Sequence, residues 1–241
     1  MLEETADAIR AALGALDDWG LAGTIPGQHR SDIAADEAAV TLLTDRGLGV
    51  LSEETGRHHA DRAITVVVDP LDGSTNAAHG IPWYAISLCA IDSEGPVASL
   101  VINLASGVSF RAERGAGATV DGHALTPSSK TALNQSLVAL SGYPRQYLGW
   151  YQFRALGAAA LDLCAVAAGV VDAYMDCSWN AHGPWDYLGG MLVCREAGAL
   201  VVDAEDRDLV TLEYTDRRTP IAAGTQALLD EAVAARRTLG H

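Results

Sequence analysis

The run Ala63 to Asn76, AITVVVDPLDGSTN, constrains the chain more than any other stretch. Its β-branched residues Ile64 to Val68 predict a buried strand, because such side chains suit a pleated, packed surface. Pro70 and Gly73 then impose a tight turn. Asp69 and Asp72 therefore stand at the mouth of a stiff strand, and Gly73, Ser74, Thr75 and Asn76 are suited to opening a helix. Strand-end carboxylates hold hard cations, and helix-start amides hold anions. Taken alone, the stretch fits a plain turn and helix cap as well as it fits a metal-assisted phosphate site. Carboxylates at strand ends and helix starts elsewhere decide between them.

Two such places exist. A short strand, Gly47 to Leu51, runs into Ser52-Glu53-Glu54, where adjacent glutamates repel unless they are solvated or hold a cation. Further on, Trp185-Asp186 opens a helix running to about Ala197 and closed by Gly198. Apolar spacing predicts helices over 3–18, 32–45, 155–168 and 225–237, the second carrying Asp36 and Glu37. Alternation and hairpin spacing predict antiparallel β structure across 84–125, with Arg114-Gly115-Ala116-Gly117 read as a turn. Further strands are expected at 136–140, 170–175 (reaching Asp176), 200–202 and 220–223, and 56–62 is read as a polar connection.

The chain of 241 residues is 49% hydrophobic and 20% charged, as a globular protein with ample core would be. A formal net charge of −15, with no basic arm, argues against nucleic-acid binding. Cys89, Cys164, Cys177 and Cys194 lie far apart, without metal-ligand spacing, which predicts reduced thiols and a cytoplasmic protein. The longest apolar stretch, Ala155 to Val171, is interrupted by Asp162 and reads as a core helix, so no membrane partner is expected.

Ser52-Glu53-Glu54, Asp69-Pro70-Leu71-Asp72-Gly73-Ser74-Thr75-Asn76 and Trp185-Asp186…Glu196-Ala197-Gly198 together resemble the inositol monophosphatase family in order and approximate spacing. The likeness continues through Gly80 to Ser87, Arg114 to Ala118, Arg154 to Gly157 and Ala168 to Tyr174, and so covers most of the chain. It implies an α/β fold, a five-layer α-β-α-β-α sandwich of the sugar-phosphatase type. That fold would be one domain over 1–241, with an N-terminal lobe of about 1–130 carrying the metal motifs and a C-terminal lobe of about 131–241. It also implies Mg2+-dependent hydrolysis of a small phosphate monoester, inositol monophosphate or a related polyol or sugar phosphate. Lithium sensitivity and a homodimer go with the family. Related families act on fructose 1,6-bisphosphate, histidinol phosphate or 3'-phosphonucleotides, and a non-catalytic, partner-binding member is the reading from another class.

Carried over residue by residue, Glu53, Asp69 and the Leu71 carbonyl would hold one Mg2+, and Asp69, Asp72 and Asp186 a second, with Mn2+ able to substitute. Gly73, Ser74 and Thr75 would receive phosphate oxygens. Asp36 and Glu53 would act in catalysis with Ser74, Asp36 pairing with the Ser74 hydroxyl to activate the attacking water. Asp176 would accept a substrate hydroxyl in a pocket lined by Arg154, Gly157 and Ala158. The chain departs from the family at Ala77, in place of a phenylalanine, and at Ser74, in place of a threonine. It lacks the lysine usual before Asp36, which bears on a third, weaker metal position. It is trimmed over 141–152 and lengthened over 177–184, where His182, Trp179 and Trp185 lie near the implied pocket.

Overall fold

The computed structural model describes residues 1–23 and 28–240, so the break expected across 20–28 lies partly outside it. The central strand β3 (Thr65–Asp72) is longer than its β-branched run, passing through Pro70 to Asp72. It pairs antiparallel with β4 (Ala85–Asp92), Asp69 opposite Ser87 and Asp72 opposite Ala85. Three steps on one strand are thus matched by two on the other, a β-bulge. Pro70, which has no amide hydrogen to give a ladder, sits inside it. The bulge has a consequence for the site. Residues three apart normally face opposite sides of a sheet. The extra residue restores even register and puts Asp69 and Asp72 on one face.

Among the described residues the strands form two sheets. The first has eight: β1 (Gly49–Ser52), β2 (Gly56–His58), β3, β4, β5 (Gly95–Asn103), β6 (Ser109–Glu113), β7 (Gly117–Val120) and β8 (His123–Ala124). Its order is β2-β1-β3-β4-β5-β6-β7-β8, with β1 parallel to β3 and the rest antiparallel. The second has β9 (Leu137–Ser141), β10 (Gln152–Arg154), β11 (Ala173–Asp176), β12 (Leu200–Asp203) and β13 (Pro220–Ala223), in the order β10-β9-β11-β13-β12.

Period-two alternation separates three cores. Val66 and Val68 face one side with α1 (Leu2–Gly14) and α2 (Arg30–Asp45), through Ile9, Leu13, Ala35, Ala39 and Leu43. Val67 and Cys89 face the other side, against α4 (Ala159–Ala167) and α5 (Pro184–Ala197). Ala139, Tyr174 and Ala222 of the second sheet close over those same two helices. Val138, Met175, Ile221 and Ala223 point outward beneath α6 (Gln226–Arg237). The layers are α1/α2, sheet, α4/α5, sheet, α6, the sandwich expected. Gly190 permits the middle layer's closeness, since a Cβ there would lie 2.8 Å from the Ala160 carbonyl and 2.7 Å from Leu163 Cβ.

Several local expectations are corrected. The polar connection at 56–62 contains β2, which pairs with β1 despite an exposed Arg57. β10 was not anticipated; all three of its residues are exposed, so it lacks the alternation that reveals a half-buried strand. The 155–168 helix begins at Ala159, after Gly157 at φ +89°. No helix among the described residues is long and apolar enough to cross a membrane.

Candidate active site

The layered arrangement brings three sequence-distant carboxylates together at the mouth of β3. Glu53 follows β1, and its amide donates to the Val68 carbonyl (3.1 Å), tying it to the adjacent β3. Asp69 lies on β3, buried, with Oδ1 accepting the Leu71 amide at 3.0 Å. Asp186 sits in the first turn of α5 and reaches back to the Gly183 amide (2.7 Å). One carboxylate oxygen from each of Glu53, Asp69 and Asp186 falls within 4.8 Å of the others. Asp72, on the same face, accepts the Ala160 amide at 2.8 Å from the start of α4.

The electrostatics of this group ask for a cation. Burial, then the charges of Asp186, Glu54 and Asp72, holds the Glu53 carboxyl well above its ordinary range. Burial followed by repulsion from Glu53, Asp72 and Asp186 does the same to Asp69. Asp72 is raised by burial and then by Asp186. Crowded, desolvated carboxylates of this kind are stable as protonated acids or as ligands of a positive ion. An all-oxygen donor set fits Mg2+ or Mn2+, not a thiolate-seeking metal.

Beside the carboxylates the chain turns sharply into α3 (Ser74–Ala78). Gly73 has φ +82°, and a Cβ there would lie 3.0 Å from the Trp83 carbonyl and 3.2 Å from Ala158 Cβ. Only glycine meets both demands. Asn76 fixes the turn, its Nδ2 donating to the carbonyls of Trp83 and Leu156, each at 2.7 Å. This binds the 73–76 loop to the segment carrying Gly157 and Ala158, so those two residues, expected to line the pocket, do adjoin the loop. The first amides of α3 have no intrahelical carbonyl to bond.

Asp36 is buried on α2, and its hydrogen-bond donor is the hydroxyl of fully buried Ser52, one residue before Glu53. Among the described residues no hydrogen bond joins Asp36 to Ser74, the expected partner. α2 packs on β1, whose last residue is Ser52, while Ser74 lies beyond the bulge. Thr75 is exposed, with its carbonyl 2.8 Å from His79 Nδ1. Arg154 is exposed on β10, donates to the Phe153 carbonyl and forms no ion pair among the described residues.

Asp176 ends β11, fully buried, and His182 links it to the cluster. His182 Nδ1 lies 3.4 Å from Asp186 Oδ2, and its Nε2 lies 3.8 Å from Asp176 Oδ1, 3.0 Å from Ser141 Oγ and 3.1 Å from Tyr174 Oη. Burial works against its charge. The hydrogen bond and charge of Asp186, with Asp176 and Asp72, outweigh that and push His182 up to about 9.

Sequence reasoning missed two supports. Tyr214 Oη donates to the Glu53 carbonyl (2.9 Å) and its ring lies 5.2 Å from Trp185, so the segment between β12 and β13 closes over the site. Asp162, noted only as an interruption of an apolar run, accepts the Trp83 indole N–H at 2.9 Å. Burial drives its carboxyl up to about 7, against the Trp83 hydrogen bond and the His182 charge. Its neutral form stabilises the fold below the ordinary carboxylate range, and that contribution is lost as pH rises through about 7. Asp162→Asn keeps the acceptor without the charge. Compared with wild type by urea unfolding, it should gain on the order of 2–4 kcal/mol between pH 5 and pH 8; identical pH slopes would refute this role.

Residues 30–241 match the model of the inositol monophosphatase family. A relative from Thermococcus kodakarensis, named fructose-1,6-bisphosphatase/inositol-1-monophosphatase, is 34% identical over 205 residues, covering 83% of this chain and 78% of the relative. Nus factor SuhB of Escherichia coli is 34% identical over 170 residues, 64% of this chain and 62% of the relative. A solved Pyrococcus horikoshii structure, described as having similarities to inositol-1 monophosphatase, aligns with TM-score 0.85 and 27% identity over 97% of this chain and 94% of that one. The chain belongs to the inositol monophosphatase family.

Proposed function

We propose that the protein is a Mg2+-dependent phosphatase acting on a small phosphorylated polyol or sugar, with inositol monophosphate as the reference substrate. The observation that carries this reading is the convergence of Glu53, Asp69 and Asp186 oxygens within 4.8 Å, with Asp72 bulged onto the same face. Glu53, Asp69 and the Leu71 carbonyl are assigned to one cation, and Asp69, Asp72 and Asp186 to a second. Bound divalent cations supply charge for the phosphoryl oxygens, acidify water and steady the departing alkoxide.

The chain's own groups do the rest. The amides of Gly73, Ser74 and Thr75 hold phosphate oxygens where the turn leaves N–H groups unspent. Asp36, fixed by Ser52, and Glu53 orient the attacking water and take its proton, with the Ser74 hydroxyl facing the phosphate. Asp176 accepts a hydrogen bond from a hydroxyl of the leaving group, and His182, held between Asp176 and Asp186, ties that acceptor to the carboxylate cluster. Gly157 and Ala158 form the apolar wall.

A second reading, partner binding without turnover, draws on the likeness to Nus factor SuhB. The complete carboxylate set favours catalysis, because a cluster held so far from its ordinary ionisation is expensive to keep for no cation. Phosphate release measured with Mg2+ over inositol 1-phosphate, fructose 1,6-bisphosphate, histidinol phosphate and a 3'-phosphonucleotide decides between them. The polyol or sugar phosphate should show the highest kcat/KM. No release from any of the four would favour the partner-binding reading.

A further inference from the structure

Arg236 is among the largest fully buried side chains of the protein, 2% exposed, and it lies on α6, on the outer side of the second sheet. It follows Leu228, Leu229 and Ala232 at helical spacing on the face that packs against the sheet. Its guanidinium forms no ion pair among the described residues. Instead Nε donates to the Asp176 carbonyl at 2.6 Å and Nη2 to the Ser178 carbonyl. Burying a cation against neutral oxygens is expensive, so holding these two carbonyls must offset a real cost.

They bracket Cys177 at the end of β11, where the chain leaves the sheet for the segment that carries His182. The Cys177 amide donates inward to the Ser141 carbonyl at 2.8 Å, so the turn is held from both sides. The Ser178 amide in turn donates to Asp176 Oδ1 at 2.8 Å. The peptide that Arg236 grips by its carbonyl side is therefore the one whose neighbouring N–H fixes the Asp176 carboxylate. Among the described residues Asp176 Oδ2 is buried with no hydrogen-bond partner, an acceptor still open to a donor. Buried acceptors without partners are rare unless a ligand or water supplies the proton.

We propose that Arg236 is a positioning residue for substrate selection. By clamping the carbonyls of Asp176 and Ser178 from behind the sheet, it sets the direction of the Asp176 carboxylate toward a hydroxyl of the leaving alcohol. The proposal rests on the reading of Asp176 as the hydroxyl acceptor. It adds α6, remote from the metal ligands in sequence, to the groups that choose the substrate. Arginine suits the task because its planar fork meets two oxygens at once, which a lysine ammonium on a flexible stem does not. Burial raises the Asp176 carboxyl, and the His182 charge, the Ser178 hydrogen bonds and, least of these, the Arg236 charge oppose that rise.

Steady-state kinetics of the full chain test this with two substrates, inositol 1-phosphate and p-nitrophenyl phosphate, whose leaving group has no hydroxyl beyond the ester oxygen. Arg236→Lys should raise KM for inositol 1-phosphate, lowering kcat/KM about tenfold to a hundredfold, the loss expected of a misplaced binding group. p-Nitrophenyl phosphate turnover should stay within about twofold of wild type, since equal transition-state energies mean equal rates. Combined with Asp176→Asn, the Arg236→Lys loss should disappear, because the carboxylate it aims is already gone. Equal losses on both substrates, additive losses in the double variant, or unchanged inositol 1-phosphate kinetics would overturn the proposal. Arg236→Gln, which keeps a single donor nitrogen and removes the buried charge, gives the same comparison if the lysine variant does not fold. Wild type inactive on both substrates would instead overturn the phosphatase reading, and the role of Arg236 with it.

Discussion

Asp72→Asn and Asp186→Asn should each lower kcat/KM for phosphate release by at least about 10³-fold, the several kcal/mol that charge stabilisation supplies to such reactions. The effect should be chemical and not structural. Asp72 accepts the Ala160 amide and Asp186 accepts the Gly183 amide, and an asparagine carbonyl oxygen takes over either bond. What asparagine lacks is the charge that balances a cation. Circular dichroism and unfolding midpoints near those of wild type would establish that the fold is intact. Activity within tenfold of wild type in either variant would remove that carboxylate from the mechanism.

The second large effect is on stability, and its sign follows from the raised carboxyls. Glu53, Asp69 and Asp72 are all held above their ordinary range by burial and then mutual repulsion. Without a cation, the stability their neutral forms give is present at low pH and is lost as pH rises through their elevated values. A divalent cation replaces those protons, so its stabilisation should grow with pH. At a hundredfold excess over Kd the gain is about 2.7 kcal/mol, or roughly 5–10 °C in Tm for a chain of this size. The Mg2+-induced rise should be larger at pH 8 than at pH 6, read by thermal unfolding after chelation. A rise that shrinks toward pH 8 would place the protons elsewhere.

Most of the secondary-structure elements could be read from residue patterns, whereas their layering was implied only by the family resemblance. The β-branched run before Asp69, the hairpin spacing across 84–125 and Gly198 after the α5 pattern all left local signatures. Glu53, Asp69 and Asp186 were legible as candidates because each stands where an element starts or stops, and the fold gathers them. What stayed hidden depends on contacts between distant segments. No local pattern says that one extra residue around Pro70 turns Asp69 and Asp72 to the same face. Likewise, Ser52 as the partner of Asp36 is set by how α2 lies on β1. Tyr214 over Glu53 and Arg236 behind Asp176 bridge 161 and 60 positions respectively, beyond any periodicity. β2 and β10 escaped for a simpler reason: at three residues each, they are too short for alternation to register.

These carboxylates should exchange protons for divalent cations. Calorimetric titration of Mg2+ into the chelated protein, in buffers of different ionisation enthalpy, measures both events at once. Wild type should bind saturably and release protons, and Asp69→Asn, which removes the ligand shared by both proposed positions, should lose most of the binding. Saturable binding left unchanged by Asp69→Asn, or no binding by wild type at millimolar Mg2+, would contradict this exchange.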